Sequence, residues 1–220
     1  MFESRAGRSV RSTLAVMRMF ARMAGRVPTL HLWYLLRRMR YERPHRFAAR
    51  MAGSDASRRV AQTRINTFFP PYPSQAFDRF CRSVIERRRV PYSVYAAVTG
   101  ACPFRCGHCS YAGRNQGQDV SGEMSRTQWL DLIGQIKKIG ACTLGFTGGE
   151  PLLRGDLEEL IAAAGPEMVA IVFTTGHGLD EKRAELLARA GTACVTIGME
   201  SADPAKHDAV RGRPGSFAEA

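Results

Sequence analysis

The chain has 220 residues and a mass of 24.3 kDa, with 45% hydrophobic and 24% charged residues. These values exclude a collagen-like, low-complexity or wholly disordered chain. No run approaches the ~18 consecutive apolar residues of a membrane-spanning helix. The net charge is +12, but residues 1–97 hold 20 Arg, no Lys and 5 acids, whereas residues 98–220 hold 12 Lys and Arg against 15 acids. The basic character therefore belongs to the N-terminal part and is not a nucleic-acid signal for the whole chain.

In residues 1–50, Val10, Leu14, Met17, Ala21 and Ala24 recur at helical spacing, with Arg11, Arg18 and Arg22 among them. Pro28 breaks that pattern. A second short helix is predicted over Thr29–Arg40, where Leu32 to Leu36 precede Arg37 and Arg38, and Pro44 ends the region. Three readings stand for this segment. It is a helical extension with its Arg side chains in water, a membrane-surface contact made by residues 1–40 on anionic lipid, or an Arg-rich organellar presequence.

Residues 51–74 read as a loop, punctuated by Gly53, Ser54, Asp55, Ser57 and the run Pro70 to Ser74. A helix is predicted over 75–89, with Phe77, Phe80, Val84 and Ile85 on its apolar face and Arg87, Arg88 and Arg89 in its last turn. Pro91 stops it. Residues 1–91 are thus expected to be a basic, mainly helical extension, and residues 92–220 a separate core.

From residue 92 strands and helices alternate. Strands are predicted over 92–99, 142–147, 168–174 and 193–199, and helices over 125–139, 155–164 and 180–190. That order means βαβ units, a parallel sheet and an α/β fold. Ser125 and Asp180 suit N-caps, and Gly140 and Gly191 suit helix ends. Ser216 opens a further helix that has almost no length. Four parallel strands without that helix leave a sheet face uncovered, so the chain is expected to be an incomplete core or to need another chain.

Six cysteines are present: Cys81, Cys102, Cys106, Cys109, Cys142 and Cys194. No secretory signal precedes them, which favours a reducing compartment and a metal or cluster site over disulfides. Cys142 and Cys194 lie on predicted strands and read as small buried hydrophobes. Cys102, Cys106 and Cys109 share one loop after the first core strand, and three thiolates so close can hold one metal centre. Zinc takes four ligands, usually as two pairs; no second pair exists here, although His108 is a candidate fourth donor. An iron–sulfur cluster takes one Cys per iron, so three would leave one iron of four open to a substrate or cofactor.

The second strand ends in Gly148, Gly149 and Glu150. Glycines permit close backbone approach and positive φ, and Glu150 sets a carboxylate at the C-terminal end of a parallel strand, where ligands bind in α/β folds. A tight turn carrying a solvated acid is the competing reading.

Taken together, these motifs resemble those of the radical S-adenosylmethionine (radical SAM) enzymes. Cys102, Cys106 and Cys109 have the family's C-x-x-x-C-x-x-C spacing, with His108 where an aromatic residue is frequent. Gly148-Gly149-Glu150-Pro151 resembles its G-G-E-P element, which implies contact with the amino group of the methionine moiety. Thr174-Thr175-Gly176 resembles T-N-G, which implies that Thr174 touches the cofactor. Val195 to Ser201 and His207 to Gly212 resemble V-S-L-D/E-S and H-D-x-x-R-G, with Gly198 where a polar Ser is common. Roles for Glu200 at a ribose hydroxyl and Arg211 at the methionine carboxylate are implied, beside the plainer reading of both as surface charges. Tyr111, Phe146 and Met199 are pocket-lining candidates, the last two also core candidates.

The resemblance covers residues 92–220. It implies the N-terminal part of a partial (β/α) TIM-like barrel, with a 4Fe–4S cluster on the three cysteines. It further implies reductive cleavage of S-adenosylmethionine, giving a 5′-deoxyadenosyl radical that takes hydrogen from a substrate. Peptide, tetrapyrrole and lipid modification are all compatible with it. A one-electron reductant of flavodoxin or ferredoxin type, a cytoplasmic location peripheral to the membrane and no nucleic-acid partner are expected. The alternative is a structural zinc or cluster-containing binding protein with a basic nucleic-acid- or membrane-binding N-terminus.

Overall fold

The computed structural model describes residues 45–50, 59–64, 68–72, 74–110 and 121–220. The two helices expected within residues 10–40 lie outside the described residues. β1 (His45–Arg50) and β2 (Arg59–Arg64) form an antiparallel ladder running from His45 opposite Arg64 to Arg50 opposite Arg59. This corrects the expectation of an unbroken loop over 51–74. Arg-rich strands lack the apolar alternation that marks a half-buried strand, so sequence periodicity had nothing to report there.

α1 (Gln75–Ile85) begins at Ser74, whose hydroxyl accepts from the amide of Phe77. It ends four residues before the expected end at 89, and Arg87 has left the helix with φ +53°. The core follows in strict alternation: β3 (Ser93–Thr99), α2 (Arg126–Ile139), β4 (Thr143–Gly148), α3 (Leu157–Ala164), β5 (Val169–Thr174), α4 (Glu181–Ala190) and β6 (Thr192–Ile197). The strands are all parallel and lie in the order β3-β4-β5-β6. This is the α/β, partial TIM-like arrangement expected. α5 (Pro204–Arg211) and the short α6 (Ser216–Glu219) complete the chain.

Strand periodicity assigns the two sheet faces. Ala96, Val98, Leu144, Phe146, Ala170 and Val172 face the helices and are buried. They pack on Trp129, Ile133 and Ile136 of α2, Leu157, Leu160 and Ile161 of α3, and Leu187 of α4. Each fully buried Leu, Ile or Phe contributes about 1.5–3 kcal/mol, so this layer holds the sheet to its helices. On the opposite face a smaller cluster joins Val169 and Ile171 to Ala76 of α1, with Phe173 and Cys194 beside it. α1 brings Phe77 and Phe80 into an aromatic group with Phe69, Tyr72 and Tyr92. Beyond that group, Tyr95 stays 57% exposed.

The predicted caps form. Ser125 and Gln128 make a reciprocal capping box on α2, and Asp180 accepts from the amide of Arg183 on α4. Gly140 (φ +98°) and Gly191 (φ +97°) end these helices in the left-handed region that favours glycine. α5 was not foreseen as a helix, although its signals are present: Asp203 as N-cap, Pro204 at its first position and Gly212 after it.

Candidate functional site

The motifs singled out in the core lie at the C-terminal ends of β3, β4, β5 and β6 and just beyond them, with His207 to Arg211 on α5. The turn after β4 lies directly on the root of the cysteine loop. Gly149 N donates to Thr99 O at 2.7 Å and Glu150 N to Ala101 O at 2.7 Å. Gly148 has φ +136°, and a Cβ on it would collide with the Thr99 carbonyl; a Cβ on Gly149 would collide with that of Ala101. The two glycines are thus required by the approach of one loop to the other.

Glu150 is not a solvated acid. It is wholly buried. Its Oε1 accepts from Leu152 N at 3.1 Å and Thr174 Oγ1 at 2.7 Å, and its Oε2 accepts from Thr175 N at 2.9 Å and Thr175 Oγ1 at 2.7 Å. The carboxylate thereby ties β5 to β4. Thr174, itself buried, accepts in turn from Gly176 N at 3.0 Å.

Below the cysteine loop lies a polar brace that the sequence did not advertise. Glu123 Oε1 accepts from Thr99 Oγ1 at 2.8 Å and Gly100 N at 2.5 Å. Arg154 pairs with Asp156 at 2.6 Å, donates to Val98 O and Met124 O, and sits 3.8 Å from Glu123. Only the position of Arg154, just after the Gly-Gly-Glu turn, hinted at it.

Cys102, Cys106 and Cys109 are half-buried and free of disulfides. Burial pushes the Cys102 thiol above its ordinary range; the negative ends of Glu150, Cys106 and Cys109 add to this, and a backbone hydrogen bond at Phe104 opposes it. Cys109 N donates to Cys106 O at 3.2 Å, closing the turn between the last two.

The loop is held from the far side by α5. Arg105 N donates to Arg211 O at 3.1 Å and Gly107 N to Val210 O at 3.2 Å. Arg211 and Glu200, predicted as cofactor contacts or surface charges, form an ion pair at 3.1 Å between a buried arginine and an exposed glutamate. Arg211 Nη2 also donates to Gly198 O at 2.6 Å, and its Nη1 to Cys106 Sγ at 3.7 Å. A Cβ on Gly198 would strike that guanidinium, which gives a reason for glycine at this position. Glu200 lies 3.7 Å from His108 Nε2, and its amide donates to Nδ1 of the buried His207.

Beside it, Phe104 packs against the ring of His177 and beneath Arg213. Glu219 joins those two partners, at 2.7 Å from His177 Nδ1 and 2.9 Å from Arg213 Nη2. Phe146 faces the helices and is core, which removes it as a pocket candidate; Met199 is 49% exposed, and Tyr111 lies outside the described residues.

Three half-buried thiols on one loop, free of disulfides, are a donor set of the kind an iron–sulfur cluster uses, one thiolate per iron. Arg211 adds a second sign of fit. It is 8% exposed, its Nη1 donates to a cysteine sulfur, and its Nε is a buried donor with no acceptor among the described residues. An anionic group here would satisfy it.

The family model described as the radical SAM superfamily matches residues 97–220. Among solved structures, BtrN in complex with AdoMet and 2-DOIA is 23% identical over 52% of this chain and 48% of its own, with a TM-score of 0.45. BtrN in an open conformation is 24% identical over 54% of each chain, with a TM-score of 0.44. Streptococcus suis SuiB bound to precursor peptide SuiA is 16% identical over 63% of this chain and 32% of its own, with a TM-score of 0.49. The chain thus spans about half the length of BtrN and a third of SuiB.

Proposed function

This chain belongs to the radical SAM superfamily, and on that premise we propose that it is the cofactor-binding part of an enzyme that uses a 4Fe–4S cluster and S-adenosylmethionine for hydrogen abstraction. Cys102, Cys106 and Cys109 are the ligands in this reading. Membership in the superfamily supports S-adenosylmethionine-dependent radical chemistry; the cluster, the residues that bind it and the substrate belong to the proposal. The observation that carries it is the meeting, at one sheet end, of the three-cysteine loop with the Gly148-Gly149-Glu150 turn and Arg211.

When bound, the two groups supply a carbon radical by one-electron reductive cleavage of the sulfonium. The chain's own residues do the rest. Glu150 holds Thr174 and Thr175 at the end of β5, so that the rim of the site is fixed before any ligand enters. Gly148, Gly149 and Thr174 shape that rim, and the buried carboxylate of Glu150 lies beneath it as a strut. Arg211 and Glu200 pair with each other beside the cysteine loop, with Arg211 donating to the Cys106 sulfur. Burial of this polar network excludes water from its interior.

The substrate belongs to the same proposal. SuiB is bound to a precursor peptide and BtrN to a small molecule, and a peptide is the reading preferred here because the basic N-terminal part suits an acidic segment. A flavodoxin- or ferredoxin-type reductant and a cytoplasmic location belong to it too. So does the division into a basic region 1–91 that meets an anionic membrane surface through residues 1–40, and a core 92–220. Among the described residues no helix is long and apolar enough to cross a membrane.

Electron paramagnetic resonance of anaerobically reconstituted, dithionite-reduced protein tests the central reading. A four-iron signal that changes on adding S-adenosylmethionine and disappears in a Cys102→Ala/Cys106→Ala/Cys109→Ala variant is expected. Stoichiometric zinc without iron would sink it in favour of a structural metal site.

A further inference from the structure

We propose that Arg211 is a positioning residue for the cluster: it donates a hydrogen bond to the Cys106 sulfur and raises the one-electron reduction potential of the group that this loop holds. This rests on the reading of Cys102, Cys106 and Cys109 as cluster ligands. It assigns Arg211 a partner other than a bound cofactor.

Three contacts fix the guanidinium. Its Nη2 is bound to Gly198 O at 2.6 Å and to Glu200 Oε1 at 3.1 Å, which leaves Nη1 aimed at Cys106 Sγ at 3.7 Å. A planar fork anchored at one side points its remaining donors in a fixed direction. The space it fills exists because residue 198 has no Cβ.

The same residue also holds the loop through its backbone. Arg211 O and Val210 O accept from Arg105 N and Gly107 N, the residues immediately before and after Cys106. Cys106 is therefore gripped from both neighbours and at its sulfur by one helix end. The side chain itself adds a contact at the sulfur that the two backbone bonds do not supply.

The sign follows from charge. Reduction adds one electron and makes the cluster more negative. A cationic N–H donor at a ligand sulfur stabilises that state more than the oxidised one, and hydrogen bonds to the sulfurs are among the levers that set cluster potentials. Glu200 opposes Arg211 by partly neutralising it.

The test uses the full chain, reconstituted with iron and sulfide, without S-adenosylmethionine. Wild type, Arg211→Gln and Glu200→Gln are compared by iron content, circular-dichroism melting and a redox titration followed by electron paramagnetic resonance. In Arg211→Gln the reduced-to-oxidised ratio at a fixed solution potential falls about tenfold, equal to roughly 59 mV for one electron. In Glu200→Gln it rises. An Arg211→Gln potential equal to wild type overturns the inference. If Arg211→Gln folds but takes up no cluster, Glu200→Gln decides: a raised potential supports the inference, and an unchanged or lowered one overturns it. Wild type that takes up no iron and sulfide instead removes the cysteine reading itself, a result distinct from a loaded wild type whose variants do not shift.

Discussion

Glu150 shows how far a side chain can depart from what its motif suggests. A carboxylate after two glycines reads as a group held out to a ligand, yet this one is wholly buried and accepts four hydrogen bonds from Leu152, Thr174 and Thr175. Hydrogen bonds to charged groups contribute about 1.5–3 kcal/mol each, and buried partners left unpaired add a penalty. Glu150→Ala is therefore expected to lower the unfolding free energy by about 3 kcal/mol, read from urea denaturation. A loss below ~0.5 kcal/mol would show that the carboxylate is not a strut. Cys142 offers a contrasting test. Burial pushes its thiol up to about 11, with Arg79 opposing, so it stays protonated at neutral pH. Native protein treated with iodoacetamide at pH ~8 should leave Cys142 unmodified while urea-unfolded protein does not. Rapid labelling in the native state would contradict that burial.

At the scale of elements, what was legible followed local rules. The capping box at Ser125, the Asp180 cap and the glycine ends of α2 and α4 are set by residues within one helical turn, and all appear as expected. So did the alternation of strand and helix, because buried strands and amphipathic helices differ in period. The β1–β2 ladder was not legible, since pairing between Arg-rich strands leaves no apolar pattern to read. Nor was the grip of α5 on the cysteine loop, or the Arg154–Glu123 brace, because both join residues far apart in sequence. Motifs located the site; only the packing of loop on loop gave Gly148 and Gly149 their reason.

The α5–α6 connection lends itself to a further prediction. Asp208 accepts from Gly215 N, Ser216 Oγ and Phe217 N, and the two amide bonds hold its carboxyl below the usual aspartate range, the hydroxyl adding to them and desolvation opposing. A lowered pKa means that the anchor is fully present above the unfolded-state value and is lost as pH falls through the lower folded value. Amide exchange at Phe217 should thus respond to this group only below about pH 4. Asp208→Asn should speed that exchange already at neutral pH. Equal exchange in both proteins at neutral pH would mean that α6 is held by other contacts, chiefly Glu219 on His177 and Arg213.

Among the described residues, the cysteine loop and a basic cleft lie at opposite ends of the sheet. The cysteine loop lies at the C-terminal end of the strands. At the other end, where α2 runs into β4, a cleft of about 270 Å³ is lined by Arg79, Arg82, Arg88, Lys137 and Lys138, against the acids Asp78 and Glu167. Arg79 and Lys137 are committed: Arg79 donates to Lys137 O at 2.6 Å, and both lie within 4 Å of Glu167. Arg82 and Lys138 are exposed and extend the excess of Arg that residues 1–97 carry. Strands of six or seven residues, rising about 3.3 Å per residue, hold the two ends roughly 20 Å apart. That is about twice the Debye length near physiological salt, so charge at one end has little direct effect on the other. The full chain should therefore bind vesicles containing phosphatidylserine in preference to phosphatidylcholine alone, with binding that weakens as salt rises. The triple cysteine variant should bind them equally well, because it alters only the opposite end. An Arg82→Glu/Lys138→Glu variant should bind less while its iron uptake stays at the wild-type level. Cosedimentation that is indifferent to lipid charge, or lost with the three cysteines, would mean that the basic residues do not act as a surface independent of the cluster end.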